Sequence, residues 1–133
     1  MEPLLSAIVT WLSLNFGMPA IHEHPWVQFA APETMEAVRG SAETVEAIYD
    51  DASRTIFLDE KWQGKTPAEL SVLVHEMVHH LQNAAGLKYE CPQAREQQAY
   101  AAQQRWLGLF GSDLRKEFEL DAMTLLVRTR CMG

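Results

Sequence analysis

Apolar residues recur at helical spacing over residues 3–16, where Leu4, Leu5, Ile8, Val9, Leu12 and Phe16 precede a stop at Gly17 and Pro19. The next stretch, AIHEHPWVQFA at 20–30, is short, bounded by prolines and rich in Val, Ile and aromatics, which predicts a strand. PETMEAVRG at 32–40 opens on Pro and closes on Gly, the punctuation of a short helix. Two β-type runs, Val45–Tyr49 and Thr55–Leu58, flank the polar turn Asp50-Asp51-Ala52-Ser53 and predict a hairpin.

A strong helix start follows. Thr66 is placed to cap, Pro67 takes the first helical position, and Glu69 stands three residues past the cap. This helix is expected to run through about Ala84, with Gly86 beyond its end. Pro92 opens another that ends near Gly108 or Gly111, and Ser112 or Asp113 caps a last one reaching about Arg130. No repeat, linker or low-complexity segment divides the chain. The pattern predicts one α+β domain over residues 1–133, mostly helical, with a small antiparallel or mixed sheet in its N-terminal half.

A chain of 133 residues, 47% of them hydrophobic, can bury about two-thirds of its unfolded surface and needs no metal or disulfide to build a core. A net charge of -7, with no Lys/Arg cluster, argues against nucleic acid as a partner. The longest apolar stretch, LLSAIVTWLSLNF at 4–16, falls short of the ~20 residues of a spanning helix, so no transmembrane segment is expected. The start Met1-Glu2-Pro3 is acidic and the first basic residue is Arg39, unlike a secretory leader. The chain is then either cytoplasmic or the trimmed form of an exported, periplasmic protein. Cys91 and Cys131 make an even count. They are either two separate buried thiols or a bridge that adds about 2–4 kcal/mol in an oxidising compartment.

The segment VLVHEMVHHLQ at 72–82 puts three of the five histidines and a glutamate into an apolar helical run. An unbonded buried polar group costs about 2–7 kcal/mol, so these side chains need partners. His75-Glu76-Met77-Val78-His79 is an H-E-x-x-H array. At about 100° per residue, His75 and His79 lie about 40° apart, one turn from each other, and can share one ion. Leu70, Leu73, Val74, Met77 and Leu81 face the opposite, packed side. Glu76 sits beside the ligand strip, where it can take a proton from a water whose pKa a metal has lowered to about 7. His80 lies about 140° from His75 and is expected to make a structural hydrogen bond. A catalytic zinc needs three protein ligands and one open position. Glu90, Glu96, Glu117, Glu119 and Asp121 are candidates for the third, with His22 and His24 as outsiders. A metzincin would carry a histidine where this chain has Ala85.

These residues resemble the glutamate-zincin (gluzincin) metallopeptidases, in particular their small single-domain bacterial members, the minigluzincins. In that group a Glu on the next helix completes the site within a pattern E-x-x-x-D. EQQAY at 96–100 matches with Glu96 at the ligand position and Tyr100 in place of the Asp that orients the first histidine. The resemblance covers about residues 1–110. It implies a zincin-like core in which the hairpin packs on the H-E-x-x-H helix. It also implies one zinc per chain held by His75, His79 and Glu96, with Glu76 as general base and Tyr100 beside the ligands. In such proteins the sheet's edge strand pairs with an extended peptide or protein substrate, and by position that strand is Thr55, Ile56, Phe57 and Leu58. The implied function is zinc-dependent hydrolysis of peptide bonds. The alternative is an inactive zinc-binding module of the same fold, acting in binding or regulation. Tyr49, Tyr89, Tyr100 and His80 all qualify as donors to a tetrahedral oxyanion, and the sequence selects none of them.

Overall fold

Six helices and three strands follow one another in the computed structural model, which describes residues 1–39 and 46–131. They are α1 (Glu2–Phe16), β1 (Trp26–Ala30), α2 (Pro32–Arg39), β2 (Ala47–Asp50), β3 (Thr55–Asp59), α3 (Pro67–Ala84), α4 (Pro92–Gly108), α5 (Leu114–Phe118) and α6 (Ala122–Thr129). The chain is α+β, mostly helical, with a three-stranded mixed sheet. No helix among the described residues is long and apolar enough to cross a membrane. Val45 and Gly40, expected as a strand start and a helix stop, lie outside the described residues.

The start of α3 forms as its residues dictate. Thr66 Oγ1 accepts from the Glu69 N–H at 3.0 Å, while the Glu69 carboxylate accepts from the N–H groups of Gln63, Lys65 and Thr66. Those backbone donors, Gln63 first, hold the Glu69 carboxyl below its ordinary range. Trp62 Nε1 donates to the Glu69 carbonyl at 2.8 Å, which fixes the approach of the preceding loop. From there α3 runs through the centre of the molecule, with Leu73, Val74, Met77, Val78 and Leu81 fully buried. They pack with Leu5, Ile8, Val9 and Leu12 of α1 and with Ile56 and Leu58 of β3. Ala99 and Ala102 of α4 join the same cluster, and their small side chains let α4 lie close along α3.

The sheet departs from expectation in its order, β1-β3-β2. β3 pairs in parallel with β1 and antiparallel with β2. Thr55, Ile56, Phe57 and Leu58, expected at the substrate edge, therefore lie on the central strand with neighbours on both sides. β2 is the edge strand that packs beside α3. β1 covers only Trp26–Ala30 of the predicted 20–30, because its five residues match the five that β3 offers.

The predicted last helix is two. Glu119 takes a left-handed conformation (φ 56, ψ 31) that ends α5, and the Asp121 side chain caps α6 by accepting from the Thr124 N–H at 2.8 Å. The break lets Leu120 bury beside Leu107 and Leu114, with Tyr100, Phe118 and Leu125 around them.

Cys91 and Cys131 are bridged, with Cα atoms 5.8 Å apart, joining the N-cap of α4 to the chain just after α6. A bridge of this kind is compatible with an exported form. Closing a loop of about 40 residues is worth about 2–4 kcal/mol. Reduction by a dithiol is therefore expected to lower the melting temperature by roughly 5–15 °C. A Cys91→Ser/Cys131→Ser variant, already lower, should not respond; an equal melting point with and without reductant would show that the bridge adds nothing.

Candidate metal centre

α3 and α4 run side by side, and the strips they turn towards each other carry the polar groups. His75 and His79 stand one turn apart on α3 with ring centroids 5.0 Å apart. Glu96, near the start of α4, reaches between them. Its Oε2 lies 2.8 Å from His75 Nε2 and its Oε1 2.9 Å from His79 Nε2. One ligand atom from each residue falls within 4.8 Å of the other two, so the group could hold a metal ion. Both imidazoles are buried, while the carboxylate is partly open to the cleft.

Two glutamines orient the histidines. His75 Nδ1 donates to Gln103 Oε1 at 2.8 Å, and Gln103 Nε2 donates to Ser71 Oγ, whose hydroxyl donates to the Ala68 carbonyl. His79 Nδ1 donates to Gln82 Oε1 at 2.9 Å, and Gln82 Nε2 donates to the Arg95 carbonyl and to Gln98. With each amide nitrogen engaged elsewhere, each amide oxygen is left for an imidazole, so both Nε2 atoms face the shared point. Sequence reasoning missed both residues. The signal was helical spacing: Gln82 lies three residues after His79, and Gln103 lies two turns after Glu96.

Tyr100 lies beside the ligands, as the resemblance implies, but its hydroxyl is directed to Arg128 and not to an imidazole. Its ring stacks edge-on against His75 at 4.6 Å, and at that separation the hydroxyl extends past the imidazole to accept from Arg128 Nη1 at 3.1 Å. Gln103→Leu should thus leave the His75 N–H unpaired and weaken zinc binding by about 10–100-fold, while Tyr100→Phe should hardly change it. Competition against a chromophoric chelator measures both; the reverse ranking would return the orienting role to Tyr100.

Burial pushes the His75 imidazole down, and the Glu96 hydrogen bond with the charges of Glu76 and Glu96 more than offsets this, leaving it raised. Burial pushes the Glu96 carboxyl up, and its contacts with His75 and His79 outweigh that, holding it well below the usual carboxylate range. Glu76 is raised, first by burial and further by the charge of Glu96, against the pull of the two imidazoles and a hydrogen bond from the Tyr49 backbone. A carboxyl held towards neutrality beside the cleft suits a group that must accept and return a proton.

His79 Nε2 is buried and has no hydrogen-bond partner despite its nearness to Glu96. A buried nitrogen of this kind, with its tautomer set from the other side, fits a metal ligand. Two imidazoles and one carboxylate are the donor set of many catalytic zinc sites. The three residues lie along a cleft of about 850 Å³. Glu46, Ala47, Ile48 and Tyr49 line it from the β2 side, and Phe118, Leu120, Val127 and Arg128 from the α5–α6 side.

The remaining candidates are placed elsewhere. His80 Nε2 donates to the Glu23 carbonyl at 2.7 Å and its Nδ1 accepts from the Tyr49 hydroxyl at 3.0 Å, the structural role expected of it. Burial pushes its imidazole down, towards the neutral form. The Tyr49 hydroxyl also accepts from Asn83, so it is fully used, and Tyr89 donates to Gln98. His24 lies against Ser6 and Glu2 of α1, and His22 is exposed. Asp121 caps α6, Glu119 ends α5, Glu117 pairs with Ser112, and Glu90 is exposed.

Among curated proteins and among solved structures, nothing matches this chain. A family model does match, over residues 1–132, and its description is a domain of unknown function, DUF6647. With all but one residue inside that match, the chain belongs to the DUF6647 family.

Proposed function

We propose that the chain is a zinc-dependent hydrolase of peptide bonds. One observation carries this: His75, His79 and Glu96 converge on one point beside Glu76, in a cleft bounded by a strand edge. Zinc held by these three residues would supply Lewis acidity, polarising a carbonyl and easing the ionisation of water. Glu76 would accept the proton of the attacking water and pass it to the leaving amine. The outer edge of β2, Ala47–Asp50, would pair with an extended peptide, a role the central position of Thr55–Leu58 rules out for that strand. Of the four oxyanion candidates, Tyr100 suits best, because it lines the cleft and accepts from Arg128 with its own O–H left to donate.

Elemental analysis after zinc loading should find about one zinc per chain, and a broad peptide library should show cleavage that a chelator removes. No zinc would refute the metal site. One tightly held zinc with no cleavage of any peptide would favour the inactive binding or regulatory module.

A further inference from the structure

Arg95 immediately precedes the third ligand on α4, and its polar groups bond to α3 and to the turn that follows β2. Nη1 and Nη2 each donate to one oxygen of Asp51, both at 2.7 Å, in the turn between β2 and β3. Nη2 also donates to the His79 carbonyl at 3.2 Å. Nε donates at 3.1 Å to Gln82 Oε1, the same oxygen that receives the His79 Nδ1 proton. The Arg95 carbonyl in turn accepts from Gln82 Nε2 at 3.1 Å. One planar cation thus joins the hairpin tip, the second histidine's helix and the glutamate's helix.

From this geometry we infer that Arg95 is a positioning residue. It fixes Gln82, and through Gln82 the imidazole of His79, by reference to the tip of the β2–β3 hairpin. The edge strand that bounds the cleft and the ligand at its floor are then set together rather than separately. A guanidinium is suited to this because its fork serves Asp51 while Nε serves Gln82, which a lysine ammonium cannot reproduce. Asn83 adds a second tie to the same turn, its Nδ2 donating to the Asp51 carbonyl at 2.9 Å. The inference deepens the zinc-hydrolase reading and rests on it for the presence of the ion.

The Asp51–Arg95 pair is partly exposed, with side chains 47% and 25% accessible, so as an ion pair it contributes little to stability. That separates positioning from support. Asp51→Ala removes the anchor from the exposed turn without touching a ligand. Arg95→Lys keeps the charge opposite Asp51 but loses the fork and the Gln82 contact. Both variants, loaded with zinc, should bind it about tenfold more weakly than the wild-type chain while melting within a few degrees of it. Any peptidase activity should lose in KM as well as kcat, because the edge strand is loosened with the ligand. Unchanged zinc affinity in both variants, with only the melting temperature lowered, would overturn the inference and make Arg95 a surface staple. The affinity comparison needs no turnover, so it decides the matter even in a chain that cleaves nothing. A wild-type chain that takes up no zinc would overturn both the site and this coupling.

Discussion

Glu76→Gln should abolish hydrolysis, lowering kcat by about 10²–10⁴-fold, the range lost when a general base is removed. The amide matches the carboxylate in shape and size. It cannot take a proton from water. Zinc content should stay at the wild-type level, since the ligand atoms come from His75, His79 and Glu96. Stability should hold or rise in the metal-free protein. A carboxyl whose folded pKa is raised costs stability at pH values above its ordinary range, and this cost is lost as pH falls through the raised value towards the ordinary one. The neutral amide removes that cost at every pH. Turnover, metal content and melting temperature on the same preparation test all three points. Full turnover in the variant would mean that another group accepts the proton.

Glu96→Ala should act on the metal instead. Structural zinc sites bind with about 10–16 kcal/mol across four ligands, so one ligand is worth roughly 3 kcal/mol and its loss about 10²–10³-fold in affinity. Binding should weaken rather than vanish, because His75 and His79 keep their tautomers through Gln103 and Gln82. Glu90→Ala, just before the bridged Cys91, is the control and should change nothing. An unchanged affinity in Glu96→Ala, read by chelator competition, would place the ion elsewhere.

What could be read from the residues was what local chemistry decides. Thr66, Pro67 and Glu69 announce a helix start because each satisfies a backbone group within a few residues, and α3 begins where they place it. The facing of His75 and His79 follows from helical spacing alone. Strand order did not follow, because a hairpin pattern tells which strands are joined and not which side a third strand takes. β1 pairs with β3 across about 25 residues of intervening chain. The break at Glu119 was hidden because a non-glycine residue in a left-handed conformation carries no signature of its own. Tyr100 occupies the aspartate's position, and the sequence alone left open whether it orients His75 or only packs beside it. Reach decided it: the ring overshoots His75, and Gln103, one turn further along α4, meets it.

The Cys91–Cys131 bridge also changes what a cut in the backbone can do. Between those two residues the chain is a covalent ring that holds Glu96, the cleft wall from α5 and α6, and the turn at Glu119. A single nick anywhere inside it opens the ring but frees no fragment. Nicked and intact molecules would keep the same mass apart from one added water, and would part into two pieces only on a reducing gel. A cut in the loop before α3 would instead leave the N-terminal half held only by packing, and it would part from the rest on a denaturing gel without any reductant.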